Sequence, residues 1–174
     1  IVKKILLYGL EKEKTKITEN VASEFGIEIN KIAKKDLDKK VGELFNLDLG
    51  ENDLVEDENK LMVFSDFDRN ILQDFLIALK KEGVLVDHKC VLTETNADWT
   101  FAFLMGHIAD EHRVVTKFRE LGGLVKIALD RLENDRDDQL MDLVEKAIEN
   151  KNRELDEKKL DSAIKELREK LNIK

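Results

Sequence analysis

Short apolar runs alternate with amphipathic segments along the first part of the chain. Val2–Leu10 is an apolar run bounded by charged residues and predicts a buried strand, and Ile27–Ala33 predicts a second strand. Between them, apolar residues recur every four positions, which is typical of a helix that is capped by Thr15 and ends at Gly26. Asp36 then caps a further short helix. This segment therefore predicts the element order βαβα.

The same order of elements recurs after an acidic stretch. Segment 50–59 carries five acidic residues and few apolar ones, so it predicts a linker or surface loop. Leu61–Phe64 then predicts a strand that corresponds to Ile5–Tyr8, with Leu61 in the place of Ile5. A helix over Arg69–Glu82 and a strand over Leu85–Thr93 follow. Matching elements at a nearly constant spacing indicate an internal duplication.

The remaining third of the chain has helical periodicity. A helix that begins near Phe101 carries an apolar stripe, and the pair Gly122-Gly123 predicts a stop or a kink in it. Asp137 and Asp156 each precede an amphipathic segment and predict two further capped helices. The predicted parts are a first βαβα unit (1–49), an acidic linker (50–59), a second βαβα unit (60–122) and a helical C-terminal extension (123–174).

These patterns together predict an α/β protein. The two βαβα units contribute four strands to a sheet covered by helices, and each βα crossover joins parallel strands. The order of the strands stays open, because a doubly wound sheet and a ferredoxin-like split arrangement both fit the pattern. The C-terminal helices either cover the sheet or form an arm for dimerisation.

Composition narrows the class of protein. Hydrophobic residues make up 42% of the 174 residues and charged residues 39%, which is typical of a soluble globular domain. The net charge of −8 argues against nucleic-acid binding, which usually needs a basic surface. No apolar run is long enough to span a bilayer, and we expect no membrane association. The single cysteine, Cys90, fits a reducing compartment, so we expect a cytoplasmic protein.

A cluster of short polar side chains precedes the helix at Phe101. Such residues cap helices, and a strand end that leads into a helix N-terminus also attracts anions. The cluster therefore predicts either a structural turn or a site for a phosphate or carboxylate, with the single tryptophan able to stack on a ligand ring. The candidate ligand-binding residues are Lys89, Thr93, Thr95, Asn96, Trp99 and Thr100.

Two further patterns suggest metal or thiol chemistry. His107 and Glu111 lie one helical turn apart, but His112 is rotated by about 140° from His107 on a helix of 3.6 residues per turn. A histidine in the protein core is the more common outcome of such spacing, so these three residues are weak metal candidates. Cys90 lies between apolar positions of its strand, and we expect it to be buried and inert.

The segment after Phe64 also permits a phosphatase interpretation. Asp66 and Asp68 are one residue apart after an apolar strand, as in the nucleophile loop of haloacid-dehalogenase-type phosphatases, which use Mg²⁺. Asn70 departs from that pattern, and the chain downstream is short for the full fold. Helix capping by Asp66 or Asp68 is therefore the preferred interpretation.

One motif in the middle of the chain has a family resemblance. It consists of Lys89, Val91, Leu92, Thr93, Thr95, Asn96 and Trp99, followed later by Glu111-His112. With this motif, the region 61–112 resembles an uncharacterised bacterial family, domain-of-unknown-function family 3783. Glu94 stands where that family commonly carries proline, which makes the turn less rigid. The resemblance implies a fold and points to the turn, and it implies no activity.

The sequence supports three hypotheses about function. The first is a non-enzymatic binding or interaction module whose contact surface is the turn Thr93–Trp99 with Lys89; regulation is one role for such a module. The second is a small enzyme that acts on a phosphorylated or carboxylated metabolite. The third is a structural or assembly protein that self-associates through its C-terminal helices. The sequence requires no cofactor, and the expected partner is a small anion or another protein.

Overall fold

The chain forms two compact units. The computed structural model describes residues 2–50, 52, 54–151 and 156–174, without the side chain of Lys151. One unit, here the sheet unit, ends at Ala109, and the other, the helical unit, begins at Asp110 and ends at Lys174. The division falls inside one long helix.

Strands and helices alternate along the sheet unit as predicted, and only helices follow. Within the described residues, the strands are β1 (Lys4–Tyr8), β2 (Glu28–Lys31), β3 (Leu61–Phe64) and β4 (Lys89–Val91). The helices described are α1 (Lys12–Glu24), α2 (Val41–Asn46), α3 (Arg69–Lys81), α4 (Phe101–Asn134), α5 (Asp138–Lys151) and α6 (Glu157–Leu171). Two 3₁₀ turns, Lys34–Asp36 and Asn96–Asp98, precede α2 and α4. The predicted α/β class with a helical C-terminal part is confirmed.

The described strands form one mixed sheet in the order β2-β1-β3-β4. β1 is parallel to β2, and β3 is parallel to β4, so each βαβ segment makes its own parallel pair. The two pairs meet along β1 and β3, which are antiparallel. This topology is neither an all-parallel doubly wound sheet nor a ferredoxin-like sheet. The sheet is instead two parallel pairs joined through a central antiparallel contact.

Helices cover both faces of the sheet. Ile5 and Leu7 of β1 point into the core beneath α1 and α3, whereas Leu6 and Tyr8 point into the core beneath α2 and the first turns of α4. Side chains alternate between faces along a strand, and here both faces are buried. The central strands are therefore continuously apolar instead of alternating apolar and polar.

Several predicted boundaries in the first half are wrong. β1 and β2 are shorter than predicted, and α1 begins at Lys12 after Glu11. Thr15 does not cap α1: its side chain is buried in the first turn and donates a hydrogen bond to the Leu10 carbonyl at 3.2 Å. A threonine hydroxyl can bond to a preceding carbonyl inside a helix as well as at its start, so residue type did not distinguish the two positions.

Other boundaries also differ from the prediction. Asp36 does not cap α2, because its carboxylate accepts a hydrogen bond from the Ala33 N–H at 3.0 Å and so closes its own 3₁₀ turn. β4 covers three residues, Lys89–Val91, and not the whole predicted run. α4 continues through Gly122 and Gly123 to Asn134, so the helix stop predicted there is wrong. Glycine disfavours a helix by about 1 kcal/mol, which the buried packing of Leu121, Leu124 and Val125 in the helical unit offsets.

The two halves of the sheet unit share backbone hydrogen bonds at corresponding positions. Gly26 N–H donates to the Ser23 carbonyl at 3.2 Å. At the corresponding place in the second half, Gly83 N–H donates to the Lys80 carbonyl at 3.0 Å. The same spacing along the chain relates Ile5 to Met62, which face the same core. The predicted match of Ile5 with Leu61 is therefore one position short. In strands buried on both faces, apolar residues are continuous, so the hydrophobic pattern does not fix the register.

A second set of hydrogen bonds joins the two halves reciprocally. Val41 N–H donates to the Trp99 carbonyl at 2.9 Å, and Phe101 N–H donates to the Lys39 carbonyl at 3.0 Å. These two bonds flank a bridge between Lys40 and Thr100, which hold corresponding positions before α2 and α4. The residues that precede α2 and α4 thus bond to each other in a locally twofold arrangement.

In the helical unit, α5, α6 and the later turns of α4 bury their apolar faces in a common core. Glu157 of α6 accepts hydrogen bonds from Arg113 at 2.8 Å and from Lys117 at 2.7 Å, both on α4. The Arg113 guanidinium, followed by the Lys117 ammonium, lowers the pKa of the Glu157 carboxyl to about 2. No helix among the described residues is both long and apolar enough to cross a membrane.

Candidate functional site

An open groove lies between α3 and β4 in the second half of the sheet unit. Its main cavity has a volume of about 970 Å³, at the upper end of the range for ligand pockets. The cavity begins where β3 and β4 end, at Asp66 and Thr93, and it is bordered by the first turns of α3. We call this cavity and its continuation the α3–β4 groove.

The groove continues along α3 as a second cavity of about 220 Å³. The two cavities share Gln73 and Leu76, so they lie next to each other along α3. The α3 residues that border it run from Arg69 to Lys80. At 1.5 Å per residue, this length of helix is about 17 Å.

The floor of the groove is apolar. Phe67, Leu72 and Leu76 are partly buried against the core beneath α1 and α3, and each still borders the main cavity. Val91, on the edge strand β4, is 37% exposed and borders the same cavity. Apolar side chains that lie together at the surface, rimmed by polar ones, are typical of interaction sites.

Charged side chains lie at both ends of the groove. Asp66, Arg69 and Glu94 border the end near the carboxyl termini of β3 and β4. Lys80 and Lys89 border the other end. The first end has one more negative than positive side chain, and the second is positive. The groove is thus polarised along its length.

In the first half, the corresponding place is filled by the chain itself. Asp57 N–H donates to the Gly9 carbonyl at 3.1 Å, and the Glu56 carboxylate accepts from the Lys12 N–H at the start of α1 at 3.3 Å. The Asn52 amide donates to the Lys31 carbonyl at 2.8 Å, at the end of β2. Within the segment predicted as a linker, Asn52 therefore lies at the end of β2, and residues 54–58, here the crossing segment, pass the end of β1.

An ion pair closes the side of the first half that corresponds to the groove. The Lys31 ammonium of β2 lies 3.4 Å from the Glu19 carboxylate of α1. At the spacings that relate the two halves, Glu19 corresponds to Leu76 and Lys31 to Val91. A charged pair that bridges helix and strand in the first half is thus replaced by two apolar side chains that border a cavity.

A buried tyrosine anchors the crossing segment. Tyr8 is 1% exposed, and its hydroxyl donates to the Asp57 carboxylate at 2.6 Å. Burial, together with the hydrogen bond to Asp57 and the negative charge of its carboxylate, raises the pKa of Tyr8 to about 12. The same hydrogen bond lowers the pKa of Asp57. In the second half, Ser65 stands in the position of Tyr8, and its hydroxyl accepts from the Lys4 N–H at 2.9 Å.

The predicted turn Thr93–Thr100 is held together by its own hydrogen bonds. Asn96 is 7% exposed, its side-chain oxygen accepts from the Thr93 N–H at 2.8 Å, and its amide donates to the Val91 carbonyl at 3.0 Å. The Thr93 hydroxyl accepts from the Asn96 N–H at 3.1 Å. The Thr100 hydroxyl accepts from the Phe103 N–H at 3.2 Å and so caps α4. Three of the groups predicted to hold an anion, the Asn96 amide and the Thr93 and Thr100 hydroxyls, are thus bonded within the turn and the helix start.

The other predicted residues are spread around the turn. Thr93 borders the main cavity, and Lys89 borders the second cavity while its ammonium donates to the Val86 carbonyl at 2.9 Å. The Thr95 side chain is exposed. The Trp99 ring packs 5.0 Å from the Phe103 ring and 5.0 Å from the His107 ring. The structure therefore brings two of the six candidates, Lys89 and Thr93, to the groove.

The residues considered for phosphatase, thiol or metal chemistry lie in surroundings typical of structural roles. Asp68 caps α3, with its carboxylate accepting from the Asn70 N–H at 2.7 Å, as the capping interpretation predicted. Cys90 is partly exposed and not fully buried as predicted, although it packs against the core beneath α2 and α4. Across the part of the chain that the structure describes, no group of three or more His, Cys, Asp or Glu side chains is placed to hold a metal ion.

Comparison with known families identifies the region that contains the groove. Residues 60–115 match the family model for a domain of unknown function, DUF3783. The resemblance predicted from the sequence is confirmed for this region. The DUF3783 region begins at β3 and includes α3, β4, the turn and the first turns of α4, so every residue that borders the groove lies within it. No curated protein and no solved structure matches the chain.

Sequence reasoning missed the apolar floor of the groove. Helical periodicity marks Leu72 and Leu76 as inward positions of an amphipathic helix without showing what covers them. A position-by-position comparison of the two halves contains a signal: Glu19 and Lys31 are replaced by Leu76 and Val91. Exchange of a charged pair for an apolar pair is therefore the one sign in the sequence that the two halves differ at this surface.

Proposed function

We propose that this protein is a non-enzymatic binding or interaction module, and that its contact surface is the α3–β4 groove together with Thr93 of the adjoining turn. One observation carries the proposal. An apolar groove is open in the second half at the place that, in the first half, is closed by an ion pair and crossed by the chain's own segment.

The bonding of the turn favours a binding module over an enzyme that acts on an anion. Such an enzyme would use Asn96 and the threonine hydroxyls to hold its substrate. Asn96, Thr93 and Thr100 already satisfy backbone groups of the turn and of α4. Turning the buried Asn96 side chain towards a ligand would leave the Thr93 N–H and the Val91 carbonyl without their partners, at a cost of about 1–3 kcal/mol each.

We further propose that the two βαβα halves arose by duplication in a bacterial, cytoplasmic protein, and that the second half acquired the binding role. The backbone hydrogen bonds common to Gly26 and Gly83, and the reciprocal bonds around Lys40 and Thr100, support the duplication. The difference in surface between the halves supports a difference in role.

A thermal-shift screen of the intact chain tests the binding role. The screen uses phosphate, nucleotides, small carboxylates, linear amphiphiles and short peptides. A ligand present at about 100 times its dissociation constant stabilises by roughly 2.7 kcal/mol, which raises the melting midpoint of a chain of this size by about 5–10 °C. We expect at least one class of ligand to produce such a shift.

The first half supplies a matched variant. Leu76→Glu combined with Val91→Lys reproduces the Glu19–Lys31 pair in the second half and so should close the groove; we call it the closed-groove variant. We expect the ligand-induced shift to disappear in it. Met141→Glu controls for added charge, because Met141 lies in the helical unit and has an exposure similar to that of Val91. If every ligand shifts the wild type and the closed-groove variant equally, the groove is not the contact surface.

A further inference from the structure

We propose that the partner of the α3–β4 groove is an extended peptide segment of another protein. Its apolar side chains alternate with polar ones, a basic residue lies at its Asp66–Glu94 end, and an acidic residue lies at its Lys80–Lys89 end. This inference rests on the proposed function, because it names the partner of the same groove.

The length and shape of the groove favour a linear occupant. The bordering residues of α3 cover about 17 Å of helix, from Arg69 to Lys80. An extended chain advances about 3.3 Å per residue, so about five residues span that length. A compact metabolite would fill one end, whereas a peptide contacts both cavities through the shared residues Gln73 and Leu76.

The spacing of the floor fits the alternation of an extended chain. Leu72 and Leu76 are four residues apart on α3, which is about 6 Å along the helix axis. Every second side chain of an extended peptide points to the same side, with a repeat of about 6.6 Å. Successive inward side chains of a peptide that follows α3 can therefore contact successive leucines of the floor.

Charge sets the direction of the peptide. Asp66 and Glu94 outnumber Arg69 at one end, which favours a basic residue there. Lys80 and Lys89 lie at the other end, which favours an acidic residue. Complementary charges at the rim add little to affinity but select orientation and partner.

The first half provides a precedent within the same chain. There, two acidic residues of the chain lie at the end of β1, with Glu56 at the start of α1 and Asp57 bonded to Gly9. The positive charge of Lys34 helps to lower the pKa of Asp57. In the second half Glu94 stands at the position of Lys34, so a segment as acidic as 54–58 would be repelled. The groove therefore selects a peptide of different charge from the chain's own segment.

A nuclear magnetic resonance titration of the intact isotope-labelled chain tests this inference. The probe is the capped peptide Lys-Val-Thr-Val-Thr-Val-Glu, whose terminal charges are about 20 Å apart when extended. We expect its addition to shift the backbone amides of Gln73, Leu76 and residues 91–94 in a saturable manner. Two matched peptides accompany it: one with glutamate at both ends, and one with serine in place of each valine.

The matched peptides separate the apolar and charged contributions. Replacing valine by serine should weaken binding at least about tenfold, because each buried CH₂ contributes about 0.8 kcal/mol. The peptide with two glutamates should bind about fivefold more weakly than the probe, as expected for one unfavourable rim charge. Glu94→Lys should reverse that preference, and the closed-groove variant should bind neither peptide.

The outcomes distinguish this inference from the proposed function. If no peptide shifts the groove amides while dodecanoate or a small metabolite does so, the peptide inference is wrong and the binding module stands. If the serine peptide binds as well as the probe, or if Glu94→Lys leaves the charge preference unchanged, the inference is also wrong. If wild type and closed-groove variant respond identically to every probe, both the inference and the proposed function are wrong.

Discussion

The two halves of the sheet unit share backbone hydrogen bonds, but they differ in the surface at the ends of their strands. Equivalent amides bond to equivalent carbonyls at Gly26 and Gly83, and the starts of α2 and α4 bond to each other reciprocally. At the ends of the strands, however, the first half is crossed by its own chain, whereas the second half leaves an apolar groove between α3 and β4.

Different residues specify the fold and the surface of the two halves. The backbone plan depends on buried apolar strands and on turns whose hydrogen bonds are satisfied locally. The surface depends on a few partly exposed positions, such as Glu19 and its counterpart Leu76. Two halves with similar backbone hydrogen bonds can therefore present a closed edge and an open groove.

The largest expected effect concerns Gly9, which has a φ of +84°. A Cβ at this position would lie 2.6 Å from the Asn59 carbonyl oxygen. Left-handed strain and the clash together predict that Gly9→Ala lowers the free energy of unfolding by about 3 kcal/mol, measured by urea denaturation. Asp66→Ala, at the equivalent position, should change it by less than about 0.5 kcal/mol. Equal losses in both variants would contradict the difference between the halves.

The next effect concerns the buried amide of the turn. Asn96→Ala removes the partners of the Thr93 N–H and the Val91 carbonyl. We expect a loss of about 2 kcal/mol in unfolding free energy, measured in the same way. Thr95→Ala, which alters an exposed side chain next to it, should cost less than about 0.5 kcal/mol. A large change in ligand affinity without loss of stability in Asn96→Ala would instead assign this amide to ligand binding.

A smaller effect concerns Tyr8, the single tyrosine of the chain. We expect the ultraviolet absorbance of tyrosinate to titrate near 12 in the folded protein and near 10.0 after unfolding. Because the pKa is raised by folding, this hydroxyl contributes its full stability below pH about 10 and loses it as the pH rises towards 12.

Variants of the same pair check the cause. Tyr8→Phe should cost about 1 kcal/mol at neutral pH and lessen the alkaline loss of stability. Asp57→Asn should move the titration of Tyr8 towards its ordinary value, because the negative charge is removed. A titration near 12 that persists in Asp57→Asn would show that burial alone raises the pKa.

The smallest expected effect concerns the ion pair between Glu19 and Lys31 in the first half. Glu19→Leu combined with Lys31→Val gives the first half the apolar pair of the second. The ion pair is partly exposed, so the change in unfolding free energy should be less than about 1 kcal/mol, by urea denaturation. A loss of several kcal/mol would mean that the ion pair maintains the fold, and that its absence in the second half has a structural cause.

Much of the fold could be predicted because its signals are local. The apolar run Leu61–Phe64 and the cap at Asp156 match the observed elements, since strand burial and helix capping act over a few residues. The extent of β4 could not be predicted in this way. Val86, inside the predicted strand Leu85–Thr93, and the preceding Val84 fill the core beneath α1 and α3 without joining the sheet. An apolar run indicates that its residues are buried. Residues can be buried either in a strand of the sheet or in a loop that packs against the core.

The candidate site was predicted in part. Thr93 and Lys89 lie at the groove, but Asn96 and Thr100 are bonded inside the turn and at the start of α4. Residue type suggested both roles, because the same oxygen atoms cap helices and bind anions. The choice between them depended on which backbone groups came within hydrogen-bonding distance, and that is a property of the folded chain.

By itself, the sequence determined the α/β class, the order of the elements and the position of the family motif, because apolar periodicity and capping residues act locally. The tertiary structure alone decided the order of the strands, the exact register between the halves and the open groove. Strand order and register depend on contacts between residues far apart in the chain. The groove depends on which surface the acidic segment covers and which it leaves open.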